Sequence, residues 1–111
     1  MATVVVLNQA QMGSGSEELG RKILATCLRK LPAAFPDLEA LVLFNGGALL
    51  ATKDSFVAQE LTMLHDRGVE MLVCGTCVDF FGIRERLLFD PPSNMDAILA
   101  AMAKADKVVT I

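Results

Sequence analysis

Short apolar runs alternate with amphipathic segments along the whole chain. Strands are predicted at Thr3–Leu7, Leu41–Phe44, Val69–Val73 and Lys107–Ile111. The first of these is a continuous β-branched run, which is typical of a strand covered on both faces. Amphipathic helices between consecutive strands imply right-handed crossovers. The pattern therefore predicts an α/β fold, a three-layer sandwich with a mostly parallel sheet of about five strands and helices on both faces.

The first helix is predicted from a polar start and an apolar face. A loop over residues 8–15 contains Ser14, and Glu17 three residues later completes the pattern of a capping box. Pro32 is expected to end the helix, because proline lacks the amide hydrogen that a further turn needs. The side chains expected to face the core are Leu19, Ile23, Leu24, Cys27, Leu28 and Leu31.

Three further helical segments follow. The second helix is predicted from about Ser55 to Arg67, with Gly68 as the residue that ends it. A short helical segment passes through Phe80 and Phe81. After the break at residues 90–92, Asn94 is placed to cap a last helix. The apolar positions of the second and last helices are Val57, Leu61, Leu64, Ile98, Leu99 and Met102.

Composition limits the classes of protein to which the chain can belong. Its 111 residues suit one domain, residues 1–111. The net charge of −3 and the scattered Lys and Arg residues argue against nucleic-acid binding. No apolar run approaches the ~20 residues that span a bilayer, so no membrane association is expected. With no signal-peptide pattern at the start and 3 cysteines, we expect a cytoplasmic protein whose thiols are reduced.

The chain is richer in apolar residues than a domain of its size needs. Apolar residues make up 53% of it, and the glycines bring the share to about 60%, against about 45–50% in typical domains. Covering the excess in a subunit interface is the simplest way to keep such a protein soluble. We therefore expect a homo-oligomer.

Polar, glycine-containing or cysteine-containing segments follow three of the predicted strands. The segments directly after these strands are Asn8-Gln9, Asn45-Gly46-Gly47 and Cys74-Gly75-Thr76-Cys77. Ligands of open α/β sheets bind beyond the carboxyl ends of the strands, which meet at one edge when the strands are parallel. The sequence therefore predicts that the three segments converge on one site.

The turn from Cys74 to Cys77 is the candidate reactive centre. It joins a strand to a helix, where unpaired amide N–H groups favour a thiolate over a thiol. Gly75 lets the backbone turn sharply, and the Thr76 hydroxyl can donate to an anionic sulfur. The alternative is that both cysteines are small buried apolar residues, the interpretation that we adopt for Cys27 on its helical stripe.

Metal and nucleotide sites fit the sequence poorly. One CxxC supplies half of a tetrahedral zinc site, and the only histidine, His65, lies near the end of the second helix. The glycines after the first strand depart from a dinucleotide fingerprint, since Gly20 comes two residues too late. We expect no metal and no organic cofactor. Instead, the loop of Gly13, Ser14 and Gly15 is expected to shape the cysteine pocket or a subunit contact.

Two other segments allow a structural and a functional interpretation. Asn45 and Gly46 suit a tight turn, and Asn45 can also orient a sulfur or substrate atom beside Cys74. Phe80 and Phe81 suit the core or an interface, with a pocket wall as the alternative. The residues predicted to form the pocket around the cysteines are Gly13, Ser14, Gly15, Asn45, Gly46, Gly75 and Thr76.

These segments resemble the DsrE/DsrF-like sulfurtransferase family, and most closely the C-terminal DsrE-like domain of YedF-type selenium-metabolism proteins. The resemblance covers nearly the whole chain in the right order, through MGSGSEELG (12–20), LFNGG (43–47), GVEMLVCGTC (68–77), FFG (80–82) and ADKVV (105–109). It implies a Rossmann-like sheet, trimeric or hexameric assembly, and a cysteine that carries sulfur as a persulfide. Cys74 matches that cysteine by its distance from Gly82, and Cys77 matches the second cysteine of the CGTC form.

The resemblance favours a sulfurtransferase-like sulfur-relay protein in which Cys74 carries persulfide sulfur and Cys77 is a candidate resolving thiol. Because YedF-type proteins carry a SirA/TusA-like domain before this one, it also implies a SirA/TusA-like sulfur carrier as a partner in trans. Two alternatives stay open: a thiol–disulfide redox module that uses the CxxC, and a non-catalytic oligomeric interaction protein with buried cysteines. Sulfur and selenium both stay open as the cargo.

Overall fold

The computed structural model describes residues 2–111, which form one α/β domain. Its four strands are β1 (Thr3–Leu7), β2 (Leu38–Leu43), β3 (Glu70–Val73) and β4 (Lys107–Thr110). Its four α-helices are α1 (Glu17–Ala34), α2 (Ala58–Asp66), α3 (Gly75–Phe81) and α4 (Met95–Lys104). Two 3-10 helices, Asn45–Ala51 and Arg84–Arg86, complete the described elements.

The four strands form one parallel sheet in the order β3-β2-β1-β4. One face of the sheet, with Val5 and Leu41, packs against the apolar sides of α1, α2 and the 3-10 helix Asn45–Ala51. The other face, with Val4 and Val42, packs against Ile98 of α4. The predicted three-layer α/β fold with helices on both faces is therefore confirmed.

The sheet has four strands in the described residues, fewer than the five predicted. The segment between α3 and α4 makes isolated bridges only, at Leu87 with Thr52 and at Ser93 with Cys74. Pro91 and Pro92 precede Ser93, and proline has no amide hydrogen to give to a ladder. This segment therefore touches the end of β3 without forming a strand beside it.

The structure corrects the two predicted ends of α1. Ser16, not Ser14, is the N-cap, and its hydroxyl accepts a hydrogen bond from the amide of Leu19 at 3.2 Å. Gly15 has φ +135°, so a helix cannot begin directly after Ser14. The helix also continues past Pro32 and ends at Ala34. Because Pro32 lies in the last turn, its missing amide hydrogen costs only one hydrogen bond near the helix end, and the helix can continue past it.

The apolar face of α1 is narrower than predicted. Leu24, Leu28 and Leu31 are buried, whereas Leu19 is 57% exposed and Ile23 is 42% exposed. The two exposed residues lie one helical turn apart, beside the face on which Leu24, Leu28 and Leu31 pack against the core. Leu19 and Ile23 therefore do not face the core of the chain.

The helix α2 begins at Ala58 and not at about Ser55, because the Ser55 hydroxyl accepts a hydrogen bond from the amide of Val57 (3.2 Å) in a turn before the helix. The predicted residues Gly68 and Asn94 bound α2 and α4 as expected. Gly68 follows α2 with φ +98°, as a glycine after a helix commonly does. Asn94 caps α4, because its side-chain oxygen accepts a hydrogen bond from the amide of Ala97 at 2.9 Å. No helix in residues 2–111 is long and apolar enough to cross a membrane.

The carboxyl ends of β1, β2 and β3 meet at one edge of the sheet, as predicted. Hydrogen bonds continue past the strands, from the amide of Phe44 to the carbonyl of Leu7 (3.2 Å) and from the amide of Cys74 to the carbonyl of Leu43 (2.9 Å). Gly47 is buried against the end of β1 so closely that a Cβ there would overlap the carbonyl oxygen of Leu7. The glycine therefore lets the chain after β2 fold back over β1.

We predict that Gly47→Ala destabilises the protein by at least about 2 kcal/mol, because its methyl group would collide with backbone that the sheet holds in place. Gly13→Ala is the control: nothing lies within 4 Å of a Cβ there, so backbone strain at φ +77° is the expected cost, about 1 kcal/mol. Urea unfolding at one protomer concentration measures both. Equal midpoints for the two variants would contradict the close approach at Gly47.

Candidate functional site

Cys74 and Cys77 occupy matched positions at the start of α3. Cys74 is the N-cap, between the last residue of β3 and Gly75, and Cys77 is the third helical residue. The side chain at an N-cap turns toward the third residue of its helix, the geometry that a capping box uses. The Cys74 thiol accordingly lies within hydrogen-bonding reach of the Cys77 thiol. Both cysteines are free thiols.

The segment before α4 holds the cysteine turn against the sheet. The amide of Ser93 donates to the carbonyl of Val73 at 2.7 Å, and the amide of Gly75 donates to the carbonyl of Ser93 at 2.9 Å. A Cβ at Gly75 would lie 2.8 Å from the Ser93 carbonyl oxygen. Glycine is therefore needed here for a close approach between two backbones.

The two thiols differ in their access to solvent. Cys74 is 4% exposed, whereas Cys77 is half-buried. Both line an open depression of about 500 Å³ at the carboxyl edge of the sheet, together with Phe44, Asn45, Thr76, Phe80, Phe81 and Met95. The site is thus a pair of neighbouring thiols in a largely apolar surface depression.

A backbone amide is directed at one of the two sulfurs. The amide of Asn45 donates a hydrogen bond to the Sγ of Cys77 at 3.1 Å. Asn45 has φ +52° and is the one non-glycine residue in residues 2–111 with a positive φ. Asparagine tolerates this left-handed conformation better than most residues, because its short polar side chain can hydrogen-bond locally. The residue directly after β2 therefore contacts the turn that follows β3.

Opposing effects act on the pKa of Cys77. Burial raises the pKa, and so does the neighbouring Cys74 thiol, while the hydrogen bond from the Asn45 amide lowers it. Burial is the largest of these effects, and the pKa lies above the ordinary value of 9.0. Cys77 is therefore a thiol at neutral pH, and its thiolate fraction grows as the pH rises.

The structure brings together some of the predicted pocket residues. Asn45 and Thr76 line the depression beside Cys74 and Cys77. Gly46 and Gly75 lie next to lining residues and serve close backbone approaches, at Gly46 to Gln9 and Ala10. The loop of Gly13, Ser14 and Gly15 is exposed and is not among the residues that line the depression, so its role at the site stays a prediction.

The apolar lining was largely missed from the sequence. Phe80, weighed mainly as a core or interface residue, is 84% exposed at the depression, and Phe81 beside it is half-buried. Phe44 and Met95 were not predicted to line the site. The sequence held a separate signal for each residue. Phe44 ends an apolar run before a polar turn, and Met95 directly follows the cap Asn94.

Metal ligands do not gather at this site. In residues 2–111 no group of three or more His, Cys, Asp or Glu side chains is placed to hold a metal ion. His65 instead lies against the ring of Phe89, with 5.1 Å between ring centroids, at the end of α2. The groups available for chemistry at the depression are two thiols and one backbone hydrogen-bond donor, the amide of Asn45.

We predict that alkylation of Cys77 by iodoacetamide accelerates steadily from pH 7 to pH 9, by up to about tenfold per pH unit, because the thiolate is the reactive species. The pKa raised by burial means that no plateau is reached in this range. Peptide mapping by mass spectrometry resolves the rate at Cys77 from those at Cys74 and Cys27. A plateau for Cys77 below pH 8 would contradict the raised pKa.

Comparison with known proteins places the chain among proteins of the same fold. The ychN protein from E. coli has a similar structure, with a TM-score of 0.73 at 24% identity, over 99% of this chain and 98% of that one. A protein of unknown function from Methanobacterium thermoautotrophicum, MTH1491, superposes with a TM-score of 0.71 at 16% identity, again over 99% and 98% of the two chains. No curated protein sequence matches the chain.

The sequence itself carries a family signature over its whole length. The profile of the DsrE/DsrF-like family matches residues 1–111, which include all the segments that form the depression. The two superpositions agree with this match in fold. The chain therefore belongs to the DsrE/DsrF-like family.

Proposed function

We propose that the protein is a sulfur-relay protein that carries persulfide sulfur on Cys74. The observation that supports this most is the pair of free, neighbouring thiols in one surface depression at the carboxyl edge of the sheet. The family to which the chain belongs is linked to sulfur relay. One thiol in such a depression is enough to accept a sulfane sulfur, and a second thiol beside it can take part in its release.

Transfer onto the protein needs neither a metal nor a redox partner. A cysteine thiolate attacks the outer sulfur of a donor persulfide, R–S–SH, and the S–S bond of the donor breaks. The electron pair of that bond leaves with the donor as R–S⁻, and the protein gains Cys–S–SH. Across the exchange one thiol and one persulfide become a new persulfide and a new thiol, so no net oxidation occurs.

We propose that the sulfur arrives on a protein, and that a SirA/TusA-like carrier supplies it in trans. Two exposed apolar side chains stand at the depression: Phe80 is 84% exposed and Met95 is 48% exposed. The lining residues in the described part of the chain include no Lys, Arg or His to neutralise a small anionic donor. An apolar surface around a reactive thiol suits contact with a protein carrier.

We also propose a homo-oligomer, a trimer or a hexamer, as the working form. Large apolar side chains remain exposed away from the depression, on α1, α2 and the loop before α2, and include Leu19, Ile23, Phe56 and Met63. A second copy of the chain would cover such residues, and in the family resemblance assembly is trimeric or hexameric. None of these four residues lines the cysteine depression.

The proposal is tested by intact-mass spectrometry after incubation with cysteine persulfide. We expect the wild type to gain one sulfur, about 32 Da, and the variant Cys74→Ser/Cys77→Ser to gain none, because a persulfide forms on a thiolate. Cys27→Ser is the matched control and should load like the wild type.

Other outcomes would contradict the relay. A wild type that loses about 2 Da and keeps no sulfur would be a thiol–disulfide redox module. Equal masses before and after incubation in all variants would leave an oligomeric protein whose cysteines are structural. If loading disappeared in Cys27→Ser, the sulfur would be carried by Cys27 and not by Cys74.

The apolar mouth of the depression gives a separate prediction. Phe80→Ser should slow loading from a SirA/TusA-like carrier persulfide by at least about fivefold, since an exposed aromatic side chain at an interface commonly contributes more than 1 kcal/mol to binding. Its loading from cysteine persulfide should be unchanged. Leu99→Ser, which removes a 55% exposed leucine that does not line the depression, is the control. Equal effects of the two variants would rule out Phe80 as a docking residue.

A further inference from the structure

We propose, on the basis of the proposed function, that Cys77 exchanges sulfur with external molecules and passes it to Cys74, and that Asn45 positions Cys77 for this exchange. Three observations carry the inference: the difference in exposure between the two thiols, their proximity, and the backbone amide directed at one of them. Cys77 is called the exchange cysteine below, and Cys74 the storage cysteine.

The two cysteines differ in how easily a donor persulfide can reach them. Attack on a persulfide requires the donor's outer sulfur to lie in line with the attacking sulfur, so the donor must reach the thiolate itself. Cys74 is 4% exposed, at the junction where β3, β2 and the Ser93 segment meet. Cys77 is half-buried one turn further along α3. A bulky donor therefore reaches the exchange cysteine first.

The amide of Asn45 stabilises negative charge on the exchange cysteine. Its hydrogen bond to the Cys77 Sγ opposes the effect of burial on the pKa of that thiol. In residues 2–111 no backbone amide makes an equivalent hydrogen bond to the sulfur of Cys74. Cys77 is anionic twice in the sequence of steps, as the nucleophile toward the donor and as the leaving group toward Cys74. One fixed donor thus assists both steps.

The position of this amide is fixed by the fold. Asn45 adopts φ +52° and begins the 3-10 helix. The next two residues, Gly46 and Gly47, pack closely against the backbone at the end of β1. A Cβ at Gly46 would lie 3.1 Å from backbone atoms of Gln9 and Ala10, and one at Gly47 would overlap the Leu7 carbonyl. The backbone after β2 therefore has little freedom to turn its amide away from the sulfur.

The two transfers balance without an oxidant or a reductant. In the first, the Cys77 thiolate attacks the outer sulfur of R–S–SH and releases R–S⁻, giving Cys77–S–SH. In the second, the Cys74 thiolate attacks that same outer sulfur, the S–S bond to Cys77 breaks, and Cys77 leaves as a thiolate. The proton that Cys74 gives up ends on the released donor thiol. The net reaction is R–S–SH plus Cys74–SH to R–SH plus Cys74–S–SH.

Burial of the storage cysteine gives the second transfer a purpose. A persulfide on the exchange cysteine is open to any thiol in solution, whereas one on a residue that is 4% exposed is shielded from it. An acceptor then recovers the sulfur by the reverse path, through Cys77. The pair acts as a protected store with a single point of exchange.

Rapid-quench peptide mapping during loading with cysteine persulfide tests the order. In the wild type we expect the added sulfur to appear on Cys77 first and on Cys74 later. Cys74→Ser should still load sulfur on Cys77, but it should lose that sulfur to added thiol at least about fivefold faster than the wild type, because its persulfide stays exposed. Cys77→Ser should load Cys74 at least about tenfold more slowly than the wild type.

The result that would overturn the proposal is a Cys77→Ser variant that loads Cys74 at the wild-type rate, with the sulfur seen on Cys74 first in the wild type. Failure of the proposed function looks different, since the wild type would then take up no sulfur on either cysteine. Circular dichroism of both serine variants checks that each is folded, and Cys77→Ala provides a second replacement without a hydroxyl.

The positioning role of Asn45 has a readout of its own. Asn45→Val places a β-branched residue where φ is positive, which should displace the amide and shift the pH profile of Cys77 alkylation to higher pH. Asn45→Gly keeps the left-handed backbone, and its profile should match the wild type. Identical profiles for the valine and glycine variants, with wild-type loading rates in both, would contradict the role of the amide.

Discussion

The candidate site depends on a ladder of backbone hydrogen bonds that joins β1, β2 and β3 and runs one residue past the ends of β2 and β3. Leu7 accepts the amide of Phe44, and Leu43 accepts the amide of Cys74. These two hydrogen bonds place the turn after β2 and the turn after β3 side by side. Everything else at the depression follows from that juxtaposition, including the contact between the Asn45 amide and Cys77.

The surroundings of the two thiols suit a resting carrier better than a permanently charged nucleophile. Burial raises the pKa of Cys77, and the one backbone donor directed at its sulfur only partly opposes this. The Cys77 thiol therefore stays protonated at neutral pH, which limits its oxidation. An exposed aromatic residue, Phe80, stands at the same depression and favours a protein as the source of the persulfide.

The sequence was sufficient to predict the layers of the fold and the edge at which the cysteines lie. Periodicity located all four strands to within a few residues, and the ends of parallel strands must share an edge. It was not sufficient for the cap of α1, because Ser14 and Ser16 fit the same local pattern and the backbone of Gly15 decides between them. Nor did periodicity show that Leu19 and Ile23 lie outside the core.

The parts of the site that could not be predicted are those that depend on distance between segments far apart in sequence. The hydrogen bond between Asn45 and Cys77 joins residues on two different crossover connections, and the apolar lining adds Phe44 from the first connection and Met95 from the second. The different exposures of Cys74 and Cys77 have no local signal either, because both belong to the same four-residue turn.

A relay must give up its cargo as well as accept it, so onward transfer is the most direct measurement. Protein loaded with labelled sulfane sulfur and freed of donor would be mixed with an acceptor thiol, and the label followed in a single turnover. A sulfur relay predicts one equivalent of labelled persulfide on the acceptor and a protein with both thiols restored. Label retained by the protein, or released while a disulfide forms in the chain, would contradict it.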